Sequence, residues 1–242
     1  MLAVSLVVTR TWLRNRSGLL FSFLFPVILL LVFGSIYDNP GNPGQAVGQN
    51  TATYYLTGLT AAFIMTNGVI GLTNVGSELK RSGVLRRLST TPLTKLEWLL
   101  GNVLGQIVLA FALAAIMLAL GAALYNTSVL VNAYFVAMLF LGALLFSGVG
   151  MSVAGLVEDP VVASGLSEAI AFPMMLLSGT FWPISSMPSY LQTVARVLPL
   201  TYFADGLRNP MVSAAFTDLA VVAVFALALV LLGARSTHWR ES

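Results

Sequence analysis

The sequence predicts an all-α integral membrane protein with six transmembrane helices, and three observations lead to this fold class. Of its 242 residues, 57% are hydrophobic and only 9% are charged, whereas soluble domains carry roughly 25% charged residues. Six apolar runs are each long enough, at about 1.5 Å rise per residue, to cross the hydrocarbon core of a bilayer. The charged residues lie mostly between these runs, which is the arrangement expected when the bilayer is the solvent.

The chain forms one transmembrane domain, residues 1–242. The predicted spans are 19–37, 54–77, 98–124, 132–157, 161–182 and 216–234. Residues 1–18 separate apolar from basic side chains on a helical wheel, which predicts an amphipathic helix on the inner membrane surface. Residues 183–212 are half-apolar and cut by prolines, so we expect them to dip back into the outer leaflet as a re-entrant segment. Within this segment, Ser189 and Gln192 have the spacing of a capping box at a helix start.

The basic residues predict the orientation of the chain. Ten of the twelve lie before span 1, between spans 2 and 3, or after span 6, and an even number of spans brings all three places to one side. The positive-inside rule makes that side the cytoplasm. We therefore expect a multi-pass protein of the plasma membrane with both termini in the cytoplasm and a bilayer of lipid around it. Only Arg196 and Arg208 fall on the outer side.

Several classes of function are excluded by residues that the sequence lacks. It has no cysteine and a single histidine, His238, so thiolate metal sites, a His-Glu-x-x-His metal site and an intramembrane serine protease with a histidine base are all ruled out. It has no phosphate-binding loop of the Gly-x-x-x-x-Gly-Lys-Ser/Thr type. We expect no catalytic residue, metal or cofactor in this chain. We also expect no nucleic-acid partner, because the basic residues set topology and do not form a soluble basic face.

Residues 78–96 form the one long loop on the inner side. Val84, Leu85 and Leu88 can share one face of a short helix, with Arg86 and Arg87 beside it, and Pro92 ends that helix. Such a helix, held between two spans, would move both of them when pushed. The alternative is a solvated loop that only sets topology. The spacing of Thr94 and Glu97 predicts a capping box that begins span 3.

Polar residues inside span 2 recur at seven-residue steps: Thr53, Thr60, Asn67 and Asn74. In an ideal α-helix they form one stripe, because the drift is only about 20° per heptad. The stripe could line a pathway, or it could form hydrogen bonds between helices that contribute roughly 0.6–2 kcal/mol each. Small residues in span 4 favour close helix packing: Gly148, Gly150, Ser152, Ala154 and Gly155.

Glu168 lies about one third of the way into span 5. A charged carboxylate at the centre of a bilayer costs about 2.5–3.5 kcal/mol even on the insertion scale. It must therefore face a cavity, pair with another group or stay protonated. Contact with a substrate or cation and a structural hydrogen bond near the inner interface both remain open.

Two sequence blocks resemble the type-2 ABC exporter permeases, which export drugs, polysaccharides and lipids. The first block is Glu78, Lys80, Arg81, Gly83, Leu85, Arg86, Arg87, Leu88, Thr91, Pro92 and Leu93. The second block runs from Leu177-Ser178-Gly179-Thr180-Phe181-Trp182-Pro183-Ile184 through Met187-Pro188 and Leu198-Pro199-Leu200-Thr201-Tyr202 to Gly206-Leu207-Arg208. The resemblance covers nearly the whole chain, and the two blocks stand in the family's order and spacing.

The resemblance implies a permease with six transmembrane helices that pairs with a second permease copy, identical or different. Each copy docks a coupling helix into a separate ATPase subunit, which binds ATP and Mg. It also implies that the re-entrant segment after span 5 gates the outer side. The expected ATPase-coupling residues are Glu78, Lys80, Arg81, Gly83, Val84, Leu85, Arg86, Arg87 and Leu88. The candidate pathway residues are Thr60, Asn67, Asn74 and Glu168.

Two other classes of function compete with this interpretation. A stand-alone secondary transporter could use Glu168 as an ion or proton site, but it would need ion ligands in broken helices and usually an inverted repeat, which the spans do not clearly show. An intramembrane aspartyl protease needs two buried carboxylates, and the spans offer only Glu168 at depth. Co-purification of an ATPase would separate an exporter permease from both.

Overall fold

The computed structural model describes residues 16–37, 51–84, 94–127, 129–157, 159–208 and 215–236, and in these ranges the chain is helical without strands. The helices are α1 Arg16–Tyr37, α2 Thr51–Thr66, α3 Leu72–Arg81, α4 Lys95–Tyr125, α5 Ala133–Leu156, α6 Pro160–Leu177, α7 Ser189–Ala195, α8 Pro199–Arg208 and α9 Ala215–Ser236. A π-helical turn, Asn67–Gly71, joins α2 to α3, and a 3₁₀ turn, Ile184–Ser186, precedes α7.

Five helices in the described ranges are long and apolar enough to cross a membrane. They are Ala52–Arg81, Glu97–Tyr125, Ala133–Leu156, Pro160–Leu177 and Phe216–Ala234. These match the predicted spans 2 to 6 and confirm an integral membrane protein built of helices. The first predicted span coincides with α1, where the described apolar stretch Leu24–Phe33 is shorter than a crossing. A sixth span therefore stays a prediction, and the interfacial helix predicted for residues 1–18 lies almost wholly outside the described residues.

The start of α4 confirms the predicted capping box. The amide of Glu97 donates to Thr94 Oγ1 at 3.3 Å, and the amide of Thr94 donates to Glu97 Oε2 at 2.9 Å. These reciprocal bonds satisfy two amides that have no partner within the helix. In the same way, Asp159 Oδ1 accepts from the amide of Val161 at the start of α6, with Pro160 at the first helical position, where a missing N–H costs nothing.

The capping box predicted at Ser189 is wrong. Pro188 occupies the N-cap position, Ser189 already lies inside α7, and no side chain caps this end. Gln192 Nε2 instead donates to the carbonyl of Met187 at 2.8 Å. Proline has no side-chain group that can cap a helix. Its fixed φ favours a helix start directly after it, and the helix therefore begins one residue earlier than the serine pattern predicts.

The centre of the fold is α5, which packs along α9 on one side and along α2, the π turn and α3 on another. Glycines allow these close approaches. A Cβ at Gly148 would lie 2.7 Å from the backbone of Leu229 in α9, and a Cβ at Gly150 would overlap the carbonyl oxygen of Gly68 in the π turn. The prediction that small residues in span 4 permit close packing is confirmed at these positions.

The spans differ in how much of their surface the protein covers. In the apolar windows of these five, most residues of the α2–α3 helix and of α5 are buried inside the chain, whereas most residues of α4, α6 and α9 are partly buried or exposed. The short helix α8 closes one end of the bundle by packing on α2, α5 and α9. Phe203 and Leu207 of α8 are fully buried in the main core. The C-terminal end of α3 lies at the other end of the span Ala52–Arg81, away from α8.

Candidate functional site

The predicted coupling segment begins where α3 ends. The amide of Ser82 donates to the carbonyl of Glu78 at 2.9 Å and the amide of Gly83 to that of Lys80 at 3.0 Å. Gly83 has a φ of 65°, a left-handed conformation that glycine adopts at little cost, and nothing lies within 4 Å of its missing Cβ. The glycine thus ends the helix and turns the chain into the segment that follows.

The predicted coupling residues divide into three groups by position. Glu78 and Arg81 are exposed, whereas Val84 is half-buried. Lys80 turns inward, and its Nζ donates to the carbonyl of Gly155 near the end of α5 at 2.9 Å. With Gly83 at the turn described above, four of the nine lie outside the described residues: Leu85, Arg86, Arg87 and Leu88. The coupling role of all nine stays a prediction.

Lys80 also lines a small cavity where α3, α4 and α5 meet. Its volume is about 20 Å³ and its walls include Trp98, Asn102 and Met151. A site of this size holds about one water molecule. Asn102 Nδ2 donates to the carbonyl of Trp98. The ammonium of Lys80 near the C-terminus of α5 also has the favourable sign for the helix dipole.

The polar residues of span 2 do not share one environment. Thr60 is buried and its hydroxyl donates to the carbonyl of Leu56 at 2.7 Å. Asn67 is half-buried and donates to the carbonyl of Phe63 at 2.9 Å, whereas Asn74 is exposed. The stripe was predicted for an ideal α-helix, and the π turn between Asn67 and Asn74 changes the rotational register. The hydroxyl of Thr60 therefore has its partner within the chain, and the residue is buried in the core.

Glu168 is exposed on the surface of the chain. Ser164 Oγ donates to its Oε1 at 3.3 Å, one turn away on α6. Val161 and Phe172 lie along the same face and are also exposed. The described chain thus supplies one hydroxyl to this carboxylate and leaves the rest of its surface open.

A cluster at the α8 end of the bundle was not predicted from the sequence. Arg208 is its centre, and its side chain is 4% exposed. It donates to the carbonyl of Gly179 at 2.7 Å and to Asp205 Oδ1 at 3.0 Å, and its guanidinium lies 3.7 Å from the ring centre of Tyr54. One signal could have revealed it, since Arg208 is one of two basic residues on the outer side of the predicted topology.

Within the described ranges, no group of three His, Asp or Glu side chains is placed to hold a metal ion. The polar groups described above act in three ways: Lys80 and Arg208 join helices to one another, Thr60 and Asn67 bond back to their own helix, and Glu168 lies on an exposed face.

Together the spans and these sites define a multi-pass membrane protein built of helices. The ABC-2 type transporter family matches residues 3–212. The chain therefore belongs to the ABC-2 type transporter family, and the resemblance to exporter permeases noted in its sequence is confirmed.

Relatives in several bacteria support this assignment. The daunorubicin resistance ABC transporter permease protein DrrB1 of Streptomyces coeruleorubidus is 25% identical over 237 residues, covering 91% of this chain and 80% of that protein. The linearmycin resistance permease protein LnrN of Bacillus subtilis (strain 168) is 25% identical over 163 residues, covering 67% of this chain and 42% of that protein. Nodulation protein J of Rhizobium leguminosarum bv. trifolii is 28% identical over 183 residues, covering 73% and 69%.

Proposed function

We propose that this chain is the permease subunit of an ATP-driven exporter, in which two permease copies form the pathway and separate subunits hydrolyse ATP. Family membership over residues 3–212 is the observation that carries the proposal. ATP and Mg bind to the partner ATPase, because this sequence has no phosphate-binding loop. The resistance permeases among its relatives favour export of small compounds.

The geometry at the end of α3 supports a coupling role for residues 78–96. This segment joins α3 to α4, and Lys80 bonds the end of α3 to the end of α5. A push on the segment would therefore act on three membrane helices together. Leu85 and Leu88 provide the apolar contact with the ATPase, while Arg86 and Arg87 lie at its rim, where charge tunes association more than affinity.

The exposed carboxylate of Glu168 supports a pathway on the outward face of α6. Charged carboxylates in spans face a cavity or a protein partner, because lipid contact costs about 2.5–3.5 kcal/mol. A second permease copy opposite this face would enclose a polar passage with Glu168 in its wall. Asn67 and Asn74 remain candidates for the same passage, whereas the buried hydroxyl of Thr60 acts in packing.

The basic residues support the orientation of this assembly. Six spans place both termini and residues 78–96 in the cytoplasm of a cell whose plasma membrane holds the protein. Residues 1–18 then lie on the inner surface. Residues 183–212 form the outer re-entrant segment, and the exposed side chains of Trp182, Tyr190 and Val197 are suited to the lipid interface.

The test is a double substitution, Leu85→Ala with Leu88→Ala, in permease reconstituted with its ATPase. Interface anchors each cost about 2 kcal/mol or more on truncation, so ATPase binding should weaken at least about thirtyfold, or hydrolysis should continue without transport. Arg86→Ala is the matched control and should have a smaller, salt-dependent effect. Wild-type binding and coupling in the double variant would reduce this segment to a topology signal.

A further inference from the structure

In the cluster around Arg208, one carbonyl accepts hydrogen bonds from two donors that come from different parts of the chain. The carbonyl oxygen of Gly179 accepts from Arg208 Nη2 at 2.7 Å and from the hydroxyl of Tyr54. Arg208 is the last residue of α8, Tyr54 lies in the first turn of α2, and Gly179 follows the end of α6. Three elements are thus joined at a single carbonyl.

The backbone around this carbonyl is shaped for the contact. Gly179 has a φ of 75°, which favours glycine, and Thr180 Oγ1 closes the turn on the carbonyl of Met175 at 2.6 Å. A Cβ at Gly58 would lie 2.6 Å from Arg208 Nη2. The absence of a side chain at Gly58 therefore leaves room for the guanidinium against α2.

The guanidinium is buried but incompletely bonded. A buried charge is costly unless it is paired. Here its partners are a carbonyl, an aromatic face and Asp205, whose side chain is 41% exposed. Arg208 Nε is buried without a hydrogen-bond partner. Such a cation holds Gly179 and Tyr54 in place. Because its Nε has no hydrogen bond to lose, moving the guanidinium away from Gly179 costs less free energy than it would if every donor were bonded.

We propose that Arg208 and Tyr54 form a clamp that holds residues 178–183 closed on the outer end of span 2, and that the clamp opens in each export cycle. Arg208 is a positioning residue, since it acts through the carbonyl of Gly179. The opening step rests on the proposed function, whereas the clamp contact does not.

A cysteine at Ser178 reports whether the clamp is closed. Ser178 is fully buried, Ser186 lies exposed in the next turn, and the chain has no cysteine of its own. In the full chain in proteoliposomes, Ser178→Cys should react slowly with an impermeant methanethiosulfonate reagent. Ser186→Cys is the matched control and should react fast in every background.

Removal of the clamp should expose position 178. In Arg208→Gln, labelling of Ser178→Cys should rise at least about tenfold, the factor expected for loss of one hydrogen bond to a charged group, while Ser186→Cys stays within about twofold. Arg208→Lys should restore part of the protection, because an ammonium keeps the charge but not the forked donor geometry. Tyr54→Phe, which keeps the ring and loses the hydroxyl, should give a smaller rise.

Unchanged labelling in Arg208→Gln would overturn the clamp. If both cysteine positions react faster in Arg208→Gln, the end of the bundle has unfolded, and the Tyr54→Phe variant then decides the question. A labelling rate that rises only at position 178 in Tyr54→Phe supports the clamp, and an unchanged rate overturns it.

With the ATPase partner and Mg-ATP, labelling of Ser178→Cys in the otherwise wild-type chain should rise during transport. Transport without that rise would overturn the opening step. Failure of ATP to drive any transport would instead contradict the proposed function and leave the labelling comparison intact.

Discussion

The bond from Lys80 to α5 gives the sharpest prediction about the end of the bundle where α3 ends. The last carbonyls of a helix have no partner within that helix, and Lys80 Nζ bonds one of them, that of Gly155, at 2.9 Å. Lys80→Met keeps most of the apolar stem and removes the ammonium. The carbonyl then loses its donor and the C-terminus of α5 loses a favourable charge.

The magnitude follows from these two losses. A hydrogen bond to a charged group contributes about 1.5–3 kcal/mol, and a cation at a helix C-terminus contributes about 0.3–1 kcal/mol by its charge alone. The two overlap and Lys80 is half-buried, so solvent screening lowers the sum. We expect Lys80→Met to lower the free energy of unfolding by about 1–2 kcal/mol. The neighbouring Arg81 is exposed, so Arg81→Met should change it by less than about 0.5 kcal/mol.

The assay is thermal unfolding of the purified chain in nanodiscs, followed by transport per ATP hydrolysed in the reconstituted complex. Lys80→Met should melt several degrees lower than Arg81→Met, and it should export less per ATP than the wild-type chain, because the end of α3 is no longer bonded to α5. Equal melting temperatures in the two variants, together with a wild-type coupling ratio in Lys80→Met, would refute the reasoning.

Three further predictions concern packing, the pathway and topology. Gly150→Ala should destabilise the fold by about 1–3 kcal/mol through overlap with the carbonyl of Gly68, and Gly165→Ala, with open space around it, should not; equal thermal stability would contradict the close packing. Glu168→Gln should alter transport rate or substrate preference without lowering protomer stability, and unchanged transport would favour a structural role. A cysteine at position 86 should resist an impermeant thiol reagent applied to intact cells, because residues 78–96 are expected in the cytoplasm. Labelling of this cysteine from outside would contradict the predicted topology.

Local patterns predicted the local structure well where the competing signals agreed. The capping box of Thr94 and Glu97 formed as expected because its two hydrogen bonds span only three residues. The same pattern failed at Ser189 because Pro188 determines where the helix begins. The polar stripe failed as one surface because a π turn interrupts span 2 between Asn67 and Asn74.

The cluster around Arg208 shows what local patterns could not supply. Tyr54 meets Gly179 across 125 positions of the chain, and Arg208 meets it across 29. From the sequence, Arg208 stood out only by its place along the chain, as an exception to the positive-inside rule. The acceptor that Tyr54 and Arg208 share becomes visible only when α2, α6 and α8 are packed together.

The sequence by itself determined the solvent of this protein, the five membrane spans that the structure confirms, the side expected for its basic residues and the family it belongs to. These follow from composition and from motifs that each occupy a short stretch of chain. Only the tertiary structure decided that Lys80 bonds α5, that Thr60 faces the core, that Glu168 stays on the surface and that Arg208 is buried on Tyr54. The physical reason is that helix packing decides which polar side chains of a membrane helix are buried and which are exposed. For Lys80 and Arg208 it also brings the bonding partner from a distant part of the chain.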